Sequence, residues 1–293
     1  MSVELEGKRV AVTGASRGLG RAIAIACAAN GADIVVNGRD AEALGAVTAD
    51  LEAHGRRCVA VSGDVADVDV CAEIVTRCVE DLGGIDCLVN NAGVTRDRTL
   101  GRMSAEEFDE VVAVNLRGTW ACGKFAAQAM RDAGTEGSII NVVSNTGFSG
   151  AVGQTNYAAS KAGVAGMSRT WVRELSRYGI RVNMIWPIAQ TDMTAGLIAS
   201  MQSADEDAGE PPDPWDLGFG PPEAVADIAV FLASDAAKGI NGQAITFNGR
   251  RLGLWSHPRE VVTVHREHWT PDAIAAEFGG ALGRELQDLY DAF

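Results

Sequence analysis

The sequence predicts an α/β protein built on one doubly wound, parallel, seven-stranded sheet. Short apolar runs alternate with longer amphipathic segments from residue 9 to residue 247. The apolar runs are continuous rather than alternating with polar residues, as strands covered by helices on both faces require. The first run also opens directly into a glycine-rich turn and a helix, the start of a βαβ unit.

The elements follow in order. Arg9-Val10-Ala11-Val12-Thr13 reads as a strand, 14–20 as the turn, and 21–30, rich in Ala and Ile, as a helix stopped by Gly31. A strand at 33–37, a helix at 41–54 and a strand at 57–62 come next, then a helix at 68–82 and a strand at 85–90. A long helix from about 105 to 133 leads to a strand at 137–144, a helix at 156–178 to a strand at 181–187, and a helix at 223–234 to a last strand at 243–247. Residues 193–222 break this rhythm and read as a loop that lids the substrate, with Asp205-Glu206-Asp207 and Pro211-Pro212-Asp213-Pro214 ahead of Trp215. Residues 250–293 then form an extension beyond a domain at 1–249. It carries Trp255, His257 and Trp269 and an expected amphipathic helix at 271–289, where Ile274, Phe278, Leu282, Leu286 and Leu289 recur at helical spacing. That apolar surface must pack, either on its own subunit or across a two-fold interface.

Composition narrows the function. With 47% hydrophobic residues the chain has material for a large core, and 39 acidic against 25 basic residues leave a formal charge of −14. Such a surface repels nucleic acid and anionic membrane, so an anionic ligand has to be held by local cations and backbone N–H groups. The six cysteines (27, 58, 71, 78, 87 and 122) are scattered, with no CxxC pair and no metal-ligand spacing, and read as reduced thiols, Cys27 and Cys122 as core fillers. No apolar run has membrane-spanning length and the first residues carry no signal region, so a cytoplasmic location is expected.

Two features suggest chemistry. Tyr157 and Lys161 stand four residues apart on the helix 156–178 and share one face. An ammonium beside a phenol favours the phenolate, so the Tyr157 pKa is expected to fall toward a range useful for proton transfer. The second feature is the turn Thr13-Gly14-Ala15-Ser16-Arg17-Gly18-Leu19-Gly20, set between a strand and a helix. Glycines there let the backbone approach a pyrophosphate while the helix N-terminus supplies N–H groups. A plain tight turn is the competing reading.

Together, Thr-Gly-x-x-x-Gly-x-Gly, Asn90-Asn91-Ala92-Gly93, Ser144 and Tyr157-x-x-x-Lys161 resemble the short-chain dehydrogenase/reductase family, in its order and spacing, over about residues 8–249. The resemblance implies a Rossmann-type fold and hydride transfer between a nicotinamide cofactor and a ketone or secondary alcohol. It implies Tyr157 as acid/base, Lys161 as its pKa partner and a ribose ligand, Ser144 as donor to the carbonyl oxygen, and Asn115 as anchor of a proton-relaying water. Asn115 also reads as a helix kink or a satisfied core amide. Implied cofactor contacts are Gly14, Ser16, Arg17, Gly18, Leu19, Gly20, the Asp64-Val65 step at the adenine, Asn91, Ala92 and Gly93 at the ribose, Tyr157, Lys161, Pro187 and Thr191; Asp64 reads equally as a helix cap.

The second strand ends in Asn37-Gly38-Arg39, with no carboxylate where NAD enzymes place one, so NADP(H) is expected with Arg39 and Arg17 as phosphate ligands. Asp40 would reverse that preference if it, rather than Arg39, faced the ribose. After the sixth strand, Trp186-Pro187-Ile188-Ala189-Gln190-Thr191 has Ile188 where the family usually has Gly, and Thr191 comes one residue early. This form of the loop and the extended C-terminus resemble the dehydrogenase units of peroxisomal multifunctional enzymes, which implies a 3-oxoacyl or 3-hydroxyacyl thioester. The alternatives are a free steroid, terpenoid or polyketide-type ketone, or a non-catalytic NADP(H)-sensing protein. No metal is expected, and family members are commonly homodimers or homotetramers.

Overall fold

The structure, a computed structural model, describes residues 3–203 and 211–286. The chain divides into one compact unit from Met1 to Trp255 and a second from Ser256 to Phe293. In the first, the strands are β1 (Arg9–Val12), β2 (Asp33–Gly38), β3 (Cys58–Ser62), β4 (Cys87–Asn90), β5 (Gly137–Val142), β6 (Ile180–Pro187), β7 (Ala244–Phe247) and β8 (Leu252–Leu254). They lie in the order β3-β2-β1-β4-β5-β6-β7-β8. All neighbours pair in parallel except β8, which runs antiparallel to β7 with Phe247 opposite Leu252 and Ile245 opposite Leu254. The expected seven parallel strands are therefore present, with a short eighth added by the segment that follows Gly249. The first unit accordingly extends to Trp255.

The helices of this unit are α1 (Gly18–Ala29), α2 (Ala41–Glu52), α3 (Val68–Leu82), α4 (Ala105–Val112), α5 (Thr119–Asp132), α6 (Thr146–Ser149), α7 (Thr155–Leu175), α8 (Asp192–Ser203) and α9 (Pro222–Ala233). Successive strand residues feed opposite faces of the sheet. Val10, Val12, Ile34, Val36 and Ile185 bury into one core with α1 and α9, whereas Ala11, Val35, Leu88 and Val182 bury into another with α3 and α5. Cys27 and Cys122 fill these cores, one in each, fully buried.

Three departures from expectation matter for the site. Between α4 and α5 the helix widens into a π segment over Ala113–Gly118, which contains Asn115. The region expected as a lid loop begins instead with helix α8; the acidic run Asp205-Glu206-Asp207 lies outside the described residues. In the second unit, the expected helix 271–289 stops early. Helix α10 spans Pro271–Phe278, capped by Thr270, whose hydroxyl accepts from the Ala273 N–H, and only a short 3₁₀ turn follows at Leu282–Glu285. Gly279, Gly280 and Gly283 explain the stop, since each glycine costs a helix about 1 kcal/mol relative to alanine. Leu289 lies outside the described residues.

Candidate active site

The order of the strands reverses between β1 and β4, so the connections leaving their C-terminal ends run to opposite faces of the sheet and open a crevice there. A cleft of about 1140 Å³ occupies it, lined by the glycine turn, Arg39, Asp64, Val65, the 91–93 segment, Ser144, Tyr157, Lys161 and the loop after β6.

The turn after β1 is shaped for close approach. Gly14 sits at φ +64°, and a Cβ on it would lie 2.7 Å from the Ala92 Cα. A Cβ on Gly20 would strike the Gly14 carbonyl and the Asn91 amide. The floor is then tied together by polar groups. The Asn91 side-chain amide donates to the Thr13 and Gly14 carbonyls at 3.0 and 3.1 Å, and Thr13 Oγ1 accepts from the Asn91 and Ala92 N–H groups, both at 3.1 Å. The turn thus presents a backbone surface, open to the cleft, at the N-terminus of α1. That cradle fits a pyrophosphate.

At the end of β2, Asn37 spends its side-chain amide on the Val61 and Gly63 carbonyls. Asp40 caps α2, accepting from the Ala43 N–H at 3.0 Å. Arg39 lies 3.5 Å from Asp64, and Arg17 lies 3.1 Å from Asp192 at the start of α8. Both guanidiniums are more than half exposed, so these pairs are weak and open to exchange for another anion. Asp64 also accepts from the Ala66 N–H, closing a turn, while the cap of α3 is Asp67 and not Asp64.

Tyr157 and Lys161 leave α7 on the same face, with the Lys161 Nζ 5.7 Å from the Tyr157 ring centroid. Lys161 is 4% exposed and donates to the Val142 carbonyl at 2.8 Å. Burial pushes its pKa down to about 8. Burial likewise pushes the Tyr157 phenol up, to about 12, with Ser144 pulling it back by hydrogen bonding and Asp97 adding to the rise. The expected lowering by Lys161 is not what the site shows: Ser144 is the neighbour that lowers the phenol, and desolvation drives both groups toward their neutral forms. Ser144 follows β5 and accepts from the Thr146 N–H at 3.2 Å.

Asn115 does not reach this group directly. Its side chain clamps Val94, accepting from its N–H at 2.8 Å and donating to its carbonyl at 3.0 Å, and its amide lies 3.3 Å from Ser160. This is the satisfied core amide foreseen for it, set in a locally widened helix. Pro187 and Thr191 line the other side of the cleft, and a Cβ on Gly18 would lie 3.6 Å from Thr191 Cγ2. Ile188 is held by its backbone, donating to the Phe247 carbonyl and accepting from the Gly220 N–H.

Other neighbours were not singled out by residue, although Met193 falls in the segment expected to lid the substrate. Met193, on the first turn of α8, places its sulfur 4.0 Å from the Tyr157 hydroxyl. Asp97 accepts from Gln154 at 2.9 Å, and both line the cleft. No spacing rule links either residue to Tyr157; the fold alone brings them there.

A family model described as short chain dehydrogenase matches residues 8–202. The chain belongs to this family. It is 39% identical to the hydroxyacyl-CoA dehydrogenase ChsB1 of Mycobacterium tuberculosis, covering 99% of this chain and 94% of that one. It is 40% identical to the 3-oxoacyl-[acyl-carrier-protein] reductase FabG of Thermotoga maritima, over 84% of this chain and 98% of the relative. Among solved structures, a short chain dehydrogenase from Mycobacterium avium superposes with a TM-score of 0.82 at 34% identity, covering 95% of this chain and 96% of the other. A short-chain type dehydrogenase/reductase from Mycobacterium marinum gives 0.75 at 30% identity, with 84% and 96% covered. The chain is thus an oxidoreductase of a family that uses a nicotinamide cofactor, and the residues around its cleft suit one.

Burial of the Lys161 ammonium predicts a stability effect with a definite sign. The folded chain holds this proton less tightly than the unfolded chain does, because the pKa falls from 10.5 to about 8. The cost of burying the charge is therefore fully present below pH 8, and stability recovers as pH rises through the interval between those two values. Lys161→Met should raise stability at pH 7, by at most about 3 kcal/mol. Thermal melts of both proteins from pH 7 to pH 10 check this: the gain in Tm should shrink steadily above pH 8.

Proposed function

We propose that the protein transfers a hydride between NADP(H) and the β-carbon of a 3-oxoacyl or 3-hydroxyacyl thioester, with Tyr157 as acid/base. The observation that carries this reading is the convergence of Ser144, Tyr157 and Lys161 on one end of a cleft whose other end holds a phosphate-shaped turn with Arg17 and Arg39. A bound nicotinamide supplies the hydride donor or acceptor. Tyr157 then gives or takes the proton at the substrate oxygen, and Ser144 donates a hydrogen bond to that oxygen as charge develops. Lys161 holds the nicotinamide ribose and stabilises the phenolate. The π segment at 113–118 sets Asn115 against Ser160, one residue from Lys161, which suits a relay site for the proton.

The preference for NADP(H) rests on the end of β2. Asn37 and Asp40 have their side chains hydrogen-bonded to backbone groups, which favours Arg39, in weak contact with Asp64, as the cation offered to a ribose phosphate. The thioester assignment draws on the two relatives named above, whose substrates are a hydroxyacyl-CoA and a 3-oxoacyl carrier protein. We read the enzyme as a cytoplasmic homo-oligomer. The second unit, with α10 and its Trp269, Ile274 and Phe278, is read as a contributor to assembly and to the partner's substrate wall.

Three experiments test these points. Tyr157→Phe removes the proton carrier and keeps the ring. It should lower kcat on an acetoacetyl thioester by about 10²–10⁴ while NADP(H) affinity stays within a few-fold; residual activity above roughly one percent contradicts the role. Arg39→Asp should turn preference from NADP(H) toward NAD(H), measured as kcat/KM for both cofactors. A wild type that already prefers NAD(H) sinks the cofactor assignment. Truncation after Trp255 should weaken assembly in sedimentation and raise substrate KM together, with cofactor affinity less affected. A truncated chain that keeps both leaves no interface role for the second unit.

A further inference from the structure

Trp255 lies beyond the last parallel strand and outside the matched residues 8–202, yet it packs directly behind Trp186, a residue that lines the cleft. Its backbone N–H donates to the Ala244 carbonyl at 2.9 Å, continuing the ladder of β8 on β7. Its indole N–H donates to the buried Thr246 hydroxyl. Backbone and ring nitrogen are thus both anchored on β7, which leaves the ring face for other contacts.

That face meets two aromatic rings. Phe148 stacks on it with centroids 5.3 Å apart and planes 16° from parallel, and Trp186 packs at 4.5 Å with a tilt of 54°. Phe148 belongs to α6, which follows directly from Ser144 and Asn145. The same short helix is pressed onto α7 beside Lys161, where a Cβ on Gly147 would lie 2.7 Å from the Ala162 nitrogen. Trp186 follows the buried part of β6, itself half-buried, and lines the cleft immediately before Pro187.

We infer that Trp255 is a positioning residue: its ring braces Phe148 and Trp186, and through them fixes the Ser144 segment and the start of the loop after β6. The inference rests on the proposed function for its kinetic consequence but not for its structural one. It gives β8 a reason to exist, because the antiparallel turn at 248–251 returns the chain along the sheet edge and delivers one indole against Phe148 and Trp186. Asn248 secures that turn, its side-chain oxygen accepting from the Arg250 and Arg251 N–H groups and its amide donating to the Gly218 carbonyl. A loosened Ser144 segment misplaces the donor to the substrate oxygen while leaving the phosphate end of the cleft intact.

The test compares Trp255→Ala, Trp255→Phe and Leu254→Ala in the full-length chain. Amide hydrogen exchange over residues 144–150 should accelerate in Trp255→Ala, return close to wild type in Trp255→Phe, which keeps a stacking ring, and stay unchanged in Leu254→Ala. With an acetoacetyl thioester and NADPH, Trp255→Ala should lower kcat by about tenfold, with the NADPH dissociation constant within about twofold. Unchanged exchange and kcat in Trp255→Ala overturn the inference. So does a loss of NADPH binding in step with substrate, which marks general unfolding, or a Trp255→Phe variant as impaired as the alanine. If wild type turns over no thioester or ketone, the proposed function fails, and the exchange measurement alone still decides the role of Trp255.

Discussion

The polar clamp between the ends of β1 and β4 governs the rest of the molecule. The sheet order reverses at this point, so β3-β2-β1 and β4 through β8 behave as two halves meeting along one seam. On one side lie the glycine turn, Arg39 and Asp64; on the other lie Ser144, Tyr157 and Lys161. Thr13 and Asn91 join the halves through groups that would otherwise be unpaired backbone donors and acceptors at strand ends. A dinucleotide long enough to span the cleft needs its two ends held at a fixed separation. The clamp sets that separation, and Gly14 and Gly20 let the two backbones come close enough for it to form.

Behind the clamp, polar side chains fix where α7 lies on the sheet. Asn90 donates to Asn141 across β4 and β5 at 2.9 Å, and Asn141 donates to Ser168 of α7 at 2.8 Å. At the other end of the helix, Asn156 donates to the carbonyls of Arg96 and Glu107. Apolar packing alone tolerates sliding of a helix along a sheet by a fraction of a turn, whereas buried amides accept only the register that satisfies them. The register of α7 decides how far Tyr157 and Lys161 stand from Ser144. The polar interior is therefore part of the site, although it lies behind the cleft.

The strands and most helices were legible because continuous apolar runs and helical periodicity survive in a single sequence. The glycine turn was legible because its residue types are demanded by backbone geometry. What escaped was what periodicity does not encode. One extra residue per turn over 113–118 leaves no mark on an apolar pattern. Helix α8 buries Ile198 and otherwise shows little contrast between faces, so it read as loop. Strand β8 has three residues, one of them Gly253, too few to announce a strand. Asp64 read as a possible cap of α3, but that duty falls to Asp67, three residues on, while Asp64 closes the turn before it.

The largest gap concerned charge rather than shape. Tyr157 and Lys161 at helical spacing suggested a phenol made acidic by its neighbour, and the spacing was right. Yet Lys161 is buried and Tyr157 half-buried, and removal from water acts on the two with opposite sign: a carboxyl or phenol holds its proton more tightly, an ammonium less. A pairwise reading of sequence contains the attraction between two charges but not the cost of removing them from water, and that cost depends on everything packed around them. In this structure the cost prevails, leaving a phenol at about 12 and an ammonium at about 8. On the proposed mechanism, such a phenol is a proton donor as it stands. To accept a proton it must first lose one, which a charged Lys161 held 5.7 Å from the ring centroid would favour. The register of α7 and the proton inventory of the site are in this sense linked, and Asn141 and Ser168 contribute to both alongside Tyr157 and Lys161 themselves.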